Sequence, residues 1–170
     1  MSAKNKPKHI KVVSQFQFDS EMAHRGLDDF NVEDIKDEAF ISIIGTEECL
    51  KYYLEEEDTV HHFKENHSNV LNLEFDDLGE DFKWNGHVFK TITWNQAKTL
   101  YDFIKANLGK SFIIHCRAGM SRSQAVGCFI YDMFNDVYPE EDTDTYTLLR
   151  QHLNHEVMRK LKHILYEEER

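Results

Sequence analysis

The stretch Ser111-Phe112-Ile113-Ile114-His115-Cys116-Arg117-Ala118-Gly119-Met120-Ser121-Arg122-Ser123 constrains the fold more than any other part of the chain. Phe112 to Ile114 form a short unbroken apolar run and read as a buried strand. From Gln124 onward the period changes: Val126, Phe129, Ile130, Met133 and Phe134 fall at i, i+3, i+4, i+7 and i+8, which predicts a helix. A loop of small residues joins the two. Strand, tight loop and helix together aim backbone N–H groups and the positive end of a helix dipole at one point.

The residue types in the loop fit an oxyanion held over a sulfur nucleophile. A thiol attacks as a thiolate, and converging N–H dipoles with a nearby guanidinium lower a cysteine pKa to about 3.5–7.5. Cys116 is the candidate nucleophile. Arg122 presents a planar fork that binds two phosphate oxygens at once, which lysine cannot match. Gly119 has no Cβ, so the loop can take positive φ where several N–H groups must turn inward. Ser123 is placed to donate a hydrogen bond to the thiolate when a covalent intermediate breaks down.

His115-Cys116-x-x-Gly119-x-x-Arg122-Ser123 resembles the signature of the cysteine-dependent protein tyrosine and dual-specificity phosphatases. A bare Cys-x5-Arg is a weak pattern; adding the histidine, glycine and serine makes a specific one. The resemblance implies that residues 117–122 (Arg117, Ala118, Gly119, Met120, Ser121 and Arg122) bind the substrate phosphate. It also implies a catalytic aspartic acid on a loop after a strand, roughly thirty to forty residues before the cysteine. Such an acid protonates the leaving oxygen and later serves as base. Asp77 fits best, since alternation along the strand before it leaves Asp77 first into the loop; Asp76 and then Asp81 are the fallbacks. For His115 two readings stand side by side: it orients the cysteine through hydrogen bonds, or it is a satisfied core histidine.

Composition bounds the class. A chain of 170 residues with 41% hydrophobic residues and two prolines is most simply one domain with a real core. We expect residues 1–8 to be a disordered basic tail and 9–170 a single catalytic domain. A net charge of −11 argues against nucleic acid and anionic membrane surfaces as partners. Three cysteines at unrelated spacings give neither a disulfide framework nor a metal cluster, so no metal and no cofactor is expected, in a reducing, cytoplasmic setting.

Along the chain, Ile10 to Phe18 reads as a strand, and 19–37 as loop with one short helix near Val32 to Lys36. Ala39 to Ile44 is a buried strand, followed by a helix capped by Thr46 and running to Glu55, with Leu50, Tyr53 and Leu54 inward. Cys49 on it is a packing residue before it is a resolving cysteine. His61, His62 and His67 lack a ligand set and read as surface residues. Asn69 to Phe75 alternates as a strand. Phe82 to Lys90 holds an Asn85-Gly86 turn and aromatics that cover the core, with lining of the pocket mouth by one of them as the alternative. Thr93 and Gln96 form a capping box for a helix ending near Gly109. Helices are expected over Thr145 to Leu153 and, capped by Asn154, to Tyr166.

This alternation predicts an α/β fold: a short, mostly parallel central sheet of four to five strands with helices on both faces and the Cys-x5-Arg loop between a central strand and a helix. The resemblance implies a phosphatase acting on a phosphorylated protein or small phosphomonoester through a phosphocysteine. Rival readings are a phosphoresidue-binding pseudophosphatase, and a thiol enzyme similar to rhodaneses or arsenate reductases.

Overall fold

The computed structural model describes residues 7–53, 60–134 and 152–170. Four strands form one sheet: β1 (Ile10–Ser14), β2 (Glu38–Ile44), β3 (Val70–Glu74) and, later in the chain, Ser111–Cys116. Between the last two lie a short antiparallel hairpin, β4 (Phe82–Trp84) and β5 (His87–Phe89), which makes Ser111–Cys116 strand β6. The spatial order is β1-β6-β2-β3 with every pairing parallel. The helices are α1 (Gln15–His24), α2 (Glu47–Tyr53), α3 (Trp94–Ala106), α4 (Arg122–Phe134) and α5 (His155–Glu168).

Alternation along the strands feeds two cores. Ile41, Ile43, Leu71, Leu73, Phe112 and Ile114 face the larger one, closed by α3, α4 and α5 through residues such as Leu100, Phe129 and Leu161. Val13, Phe40, Val70 and Ile113 face the smaller one, where α1 adds Phe18 and Met22. Each of these large side chains contributes about 1.5–3 kcal/mol by leaving water. The α/β class, the parallel sheet and helices on both faces are as the sequence predicts.

The N-terminal strand is shorter than expected. It stops at Ser14, and Gln15–His24, read from sequence as the end of a strand and then loop, is helix α1. The reason is a capping box: the Ser14 hydroxyl accepts from Gln17 N–H while the Gln17 side chain accepts from Ser14 N–H. Near residue 32 only a 3-10 turn forms, Val32–Asp34. The Thr93–Gln96 box and the Asn154 cap are present, Asn154 accepting from Glu156 and Val157 N–H. Of the helix expected over 145–153, residues 145–151 fall outside the described residues and His152 and Leu153 are not helical; the end of the helix expected to reach Glu55 and the first part of the N-terminal tail also fall outside them.

Because all four strands run the same way, Ser14, Ile44, Glu74 and Cys116 end on one edge of the sheet. In open α/β sheets ligands bind outside the carboxyl ends of the strands. The loops that follow β1, β2, β3 and β6 meet there.

Candidate active site

At the end of β6 the chain turns through residues 117–121 and enters α4 at Arg122. Gly119 makes the turn possible, with φ +71°. A Cβ at that position would lie 2.6 Å from the Val13 carbonyl carbon and 2.8 Å from Ser14 N, so the loop backbone packs directly on the end of β1. Gln15 N–H then donates to the Arg117 carbonyl at 3.0 Å, tying the loop to the start of α1.

Cys116 is buried, with its Sγ 3.1 Å from Ser123 Oγ. Burial pushes the thiol up. The Ser123 hydroxyl, the Arg122 charge and the backbone N–H groups of Ser123 and Ser121 more than offset it and hold the thiol below its ordinary range. Arg122 is itself buried: one arm, Nη1, donates to the Phe75 carbonyl at 2.7 Å, while Nε has no hydrogen-bond partner among the described residues. A buried guanidinium N–H without an acceptor is costly. Arg122 also lines the cleft next to the cysteine loop, and its charge is one of the causes of the depressed Cys116 thiol.

The three candidate acids separate cleanly. Asp76 is buried and structural: it accepts from Thr46 N–H (2.9 Å), the Thr46 hydroxyl (2.8 Å) and Lys90 N–H (2.7 Å), bracing the loops after β2 and β3. Asp81 binds Lys90 Nζ at 3.2 Å and Thr91 N–H at 3.1 Å, and the Lys90 bond holds its carboxyl below the usual range. Asp77 is exposed and reaches the cysteine loop. Its Oδ1 accepts from the Ser121 hydroxyl and from Asn154 Nδ2, each at 2.7 Å. Asn154 N–H in turn donates to the Ser121 carbonyl at 3.1 Å. Sequence reasoning gave Asn154 only the cap; the same side chain also anchors Asp77.

A cleft of about 450 Å³ opens over this edge. Arg117, Arg122, Asp77 and Gln15 line it on the loop side, and Tyr52, Phe82, Trp84 and Phe89 on the other. The aromatics come from α2 and the β4–β5 hairpin, whose two-residue turn uses Asn85 (φ +47°) and Gly86 (φ +81°), as an Asn-Gly hairpin requires. Phe82 stacks on Trp84 and on Phe89, with centroids 6.4 Å and 6.2 Å apart, and Tyr52 meets Phe89 edge-on at 5.5 Å. Phe82 and Trp84 remain about half exposed, at 48% and 52%. These residues wall the cleft, and none of them belongs to either core, where the sequence had most of them.

Cys49 also lines the cleft; burial and the Asp76 carboxylate push its thiol up to about 11, so it stays protonated. Cys128 is buried in the larger core. Of the loop residues, Arg117, Ala118 and Met120 are exposed, and Ser121 is half-buried. The histidines expected at the surface are instead bonded: His62 Nε2 lies 2.7 Å from the Leu27 carbonyl, His67 Nε2 2.8 Å from Asp29, and His61 Nδ1 2.6 Å from Ser42 Oγ. His115 is fully buried, with Nε2 2.6 Å from the same Ser42 hydroxyl and Nδ1 3.3 Å from the Cys116 carbonyl. No group of three or more metal-ligating side chains occurs among the described residues, and no described helix is long and apolar enough to cross a membrane.

No protein-family model matches the chain, and no curated protein matches it. Two solved structures are similar in fold. One is Tk-PTP in its active form, with 17% identity and a TM-score of 0.45, covering 96% of this chain and 97% of that one. The other is PTPMT1 in complex with PI(5)P, with 16% identity and a TM-score of 0.44, covering 87% of this chain and 88% of that one.

Proposed function

We propose that this chain is a cysteine-dependent phosphoprotein phosphatase that hydrolyses phosphotyrosine, and phosphoserine or phosphothreonine where they reach the loop. The catalytic unit is a single domain over residues 9–170, working in a reducing compartment such as the cytoplasm. The observation that carries the reading is the pairing of a depressed Cys116 thiol with a buried Arg122 whose Nε lacks an acceptor.

In this mechanism Cys116 Sγ attacks phosphorus in line, and the S–P bond forms as the P–O bond to the leaving group breaks. Arg122 and the loop N–H groups of residues 117–122 hold the equatorial oxygens. Asp77 protonates the leaving oxygen. Both of its hydrogen bonds go to Oδ1, so a carboxyl carrying its proton on Oδ2 keeps both. A water deprotonated by Asp77 then attacks the phosphocysteine, and the departing thiolate recovers the Ser123 hydrogen bond. His115 supports the loop from behind. The aromatic wall of Tyr52, Phe82, Trp84 and Phe89 favours an aryl phosphate.

The test is hydrolysis of a simple aryl phosphate with chelator present. Wild type turns over; Cys116→Ser is inactive; Asp77→Asn falls about 10²-fold or more. Full activity in Cys116→Ser would end the assignment, and undiminished activity in Asp77→Asn would move the acid elsewhere.

A further inference from the structure

Behind the cysteine runs a line of hydrogen bonds of which the mechanism above uses only the His115 end. The β2–β6 register sets Ser42 directly opposite His115, on the face of the smaller core, and both are fully buried. Ser42 is the one polar residue within the run Ala39–Ile44, and its hydroxyl lies 2.6 Å from His115 Nε2 and 2.6 Å from His61 Nδ1. Phe18 lies over the His115 ring with centroids 4.4 Å apart, which fixes the ring plane.

We propose that Ser42 and His61 are positioning residues for the nucleophile: acting through His115, they hold the first peptide plane of the loop so that the Arg117 N–H faces the oxyanion. The inference deepens the phosphatase reading of the same site and rests on it for the identity of that oxyanion.

The direction of the line follows from what each group can donate. The Cys116 carbonyl only accepts, so His115 Nδ1 carries the hydrogen facing it. Burial keeps His115 neutral, its pKa pushed down to about 3, so its Nε2 is an acceptor and Ser42 is the donor. A hydroxyl has one hydrogen. Towards His61 it therefore accepts, and His61 Nδ1 donates. His61 is also neutral, lowered to about 4 by burial, which leaves a lone pair on Nε2. That nitrogen is buried and has no hydrogen-bond partner among the described residues; the Glu74 carboxylate stands 3.8 Å away, beyond hydrogen-bonding distance. Hydrogens thus point one way, from His61 through Ser42 and His115 to the Cys116 carbonyl.

That last bond acts on the loop. The Cys116–Arg117 peptide is trans, so its C=O and N–H point in opposite directions. A carbonyl drawn to His115 turns the Arg117 N–H the other way, toward the centre of the loop. The next peptide is pinned as well, its Arg117 carbonyl accepting from Gln15 N–H. Without a donor at Ser42, His115 Nε2 is a buried acceptor with nothing to accept, the ring loses the bond that fixes its far end, and Nδ1 is free to draw away from the Cys116 carbonyl; without His61 the Ser42 hydroxyl loses the donor that orients it toward His115.

The experiment uses the full chain and tungstate as the oxyanion probe. It measures tungstate affinity, the pH profile of Cys116 alkylation read on the Cys116 peptide, and imidazole nitrogen shifts by NMR. Ser42→Ala and His61→Leu should each weaken tungstate binding about tenfold or more and move the alkylation profile to higher pH. His61→Asn, whose amide can donate where Nδ1 does, should recover to within about threefold of wild type. In wild type both His61 and His115 should carry hydrogen on Nδ1. Wild-type tungstate affinity in both disrupting variants, or hydrogen on His115 Nε2, would overturn the proposal. The nitrogen shifts need no variant to fold. Tungstate and alkylation need no turnover, so a failure of the phosphatase reading would show separately, as an inert wild type toward aryl phosphate.

Discussion

Gly119→Ala tests the packing of the loop most sharply. The glycine has φ +71°, a region that costs an ordinary L-residue about 1–2 kcal/mol. The added methyl would also meet backbone, not a side chain that can swing away: the Val13 carbonyl carbon at 2.6 Å, its oxygen at 2.7 Å and Ser14 N at 2.8 Å. The end of β1 cannot retreat cheaply. Ser14 pairs with Cys116 in the sheet register, and Gln15 N–H is bonded to the Arg117 carbonyl. Overpacking of this kind costs about 1–3 kcal/mol, so the combined loss is about 2–5 kcal/mol. For a chain of this length that lowers Tm by about 5–15 °C. If the loop yields instead of β1, the smaller loss in Tm is accompanied by a loss of tungstate affinity, because the N–H groups no longer converge. Thermal unfolding and tungstate titration of Gly119→Ala read both. A variant with unchanged Tm and unchanged tungstate affinity would refute the close approach of loop and strand.

Three further outcomes follow from the same bonds. Ser123→Ala removes the hydroxyl 3.1 Å from Cys116 Sγ, and the thiol pKa should rise, moving the alkylation profile to higher pH; an unmoved profile would remove Ser123 from the thiolate's support. Asp76→Ala strands Thr46 N–H and Lys90 N–H inside the protein and should cost about 2–4 kcal/mol in urea unfolding, whereas Asp77→Asn, at an exposed position, should cost under about 1 kcal/mol. His115 is held neutral down to about pH 3, while in the unfolded chain it titrates near its ordinary 6.5. Below that value the unfolded state binds a proton that the folded state refuses. Stability from this group is therefore complete above pH 6.5 and drains as the pH falls toward 3, with a slope up to about 1.4 kcal/mol per pH unit that His115→Gln should remove.

The sequence carried the sheet and the loop well because both leave strong local marks. Runs such as Ala39–Ile44 and Phe112–Ile114 have few alternatives to a buried strand, and Gly119 is demanded by a backbone contact that any other residue would block. The start of the chain was misread because a short apolar alternation, Ile10 to Phe18, overrode the Ser14–Gln17 capping box, the more local and more decisive signal. The aromatic side of the cleft was only half legible. The Asn85–Gly86 turn announces a hairpin, but nothing in the sequence says which of its aromatics line the cleft shared with the cysteine loop. The line from His61 to Cys116 was hidden because its members lie far apart in the chain. One clue existed: a lone serine inside a buried strand must find a hydrogen bond, and the parity of β2 and β6 leaves His115 as its neighbour.

The most direct test of the central claim is a rapid acid quench of wild type during turnover of an aryl phosphate, followed by mass analysis of the peptide that contains residue 116. A phosphoryl group should appear on Cys116 before the first turnover is complete, and should increase in Asp77→Asn supplied with a good leaving group. Steady release of phosphate with no phosphorylated Cys116 peptide at any time point would contradict it.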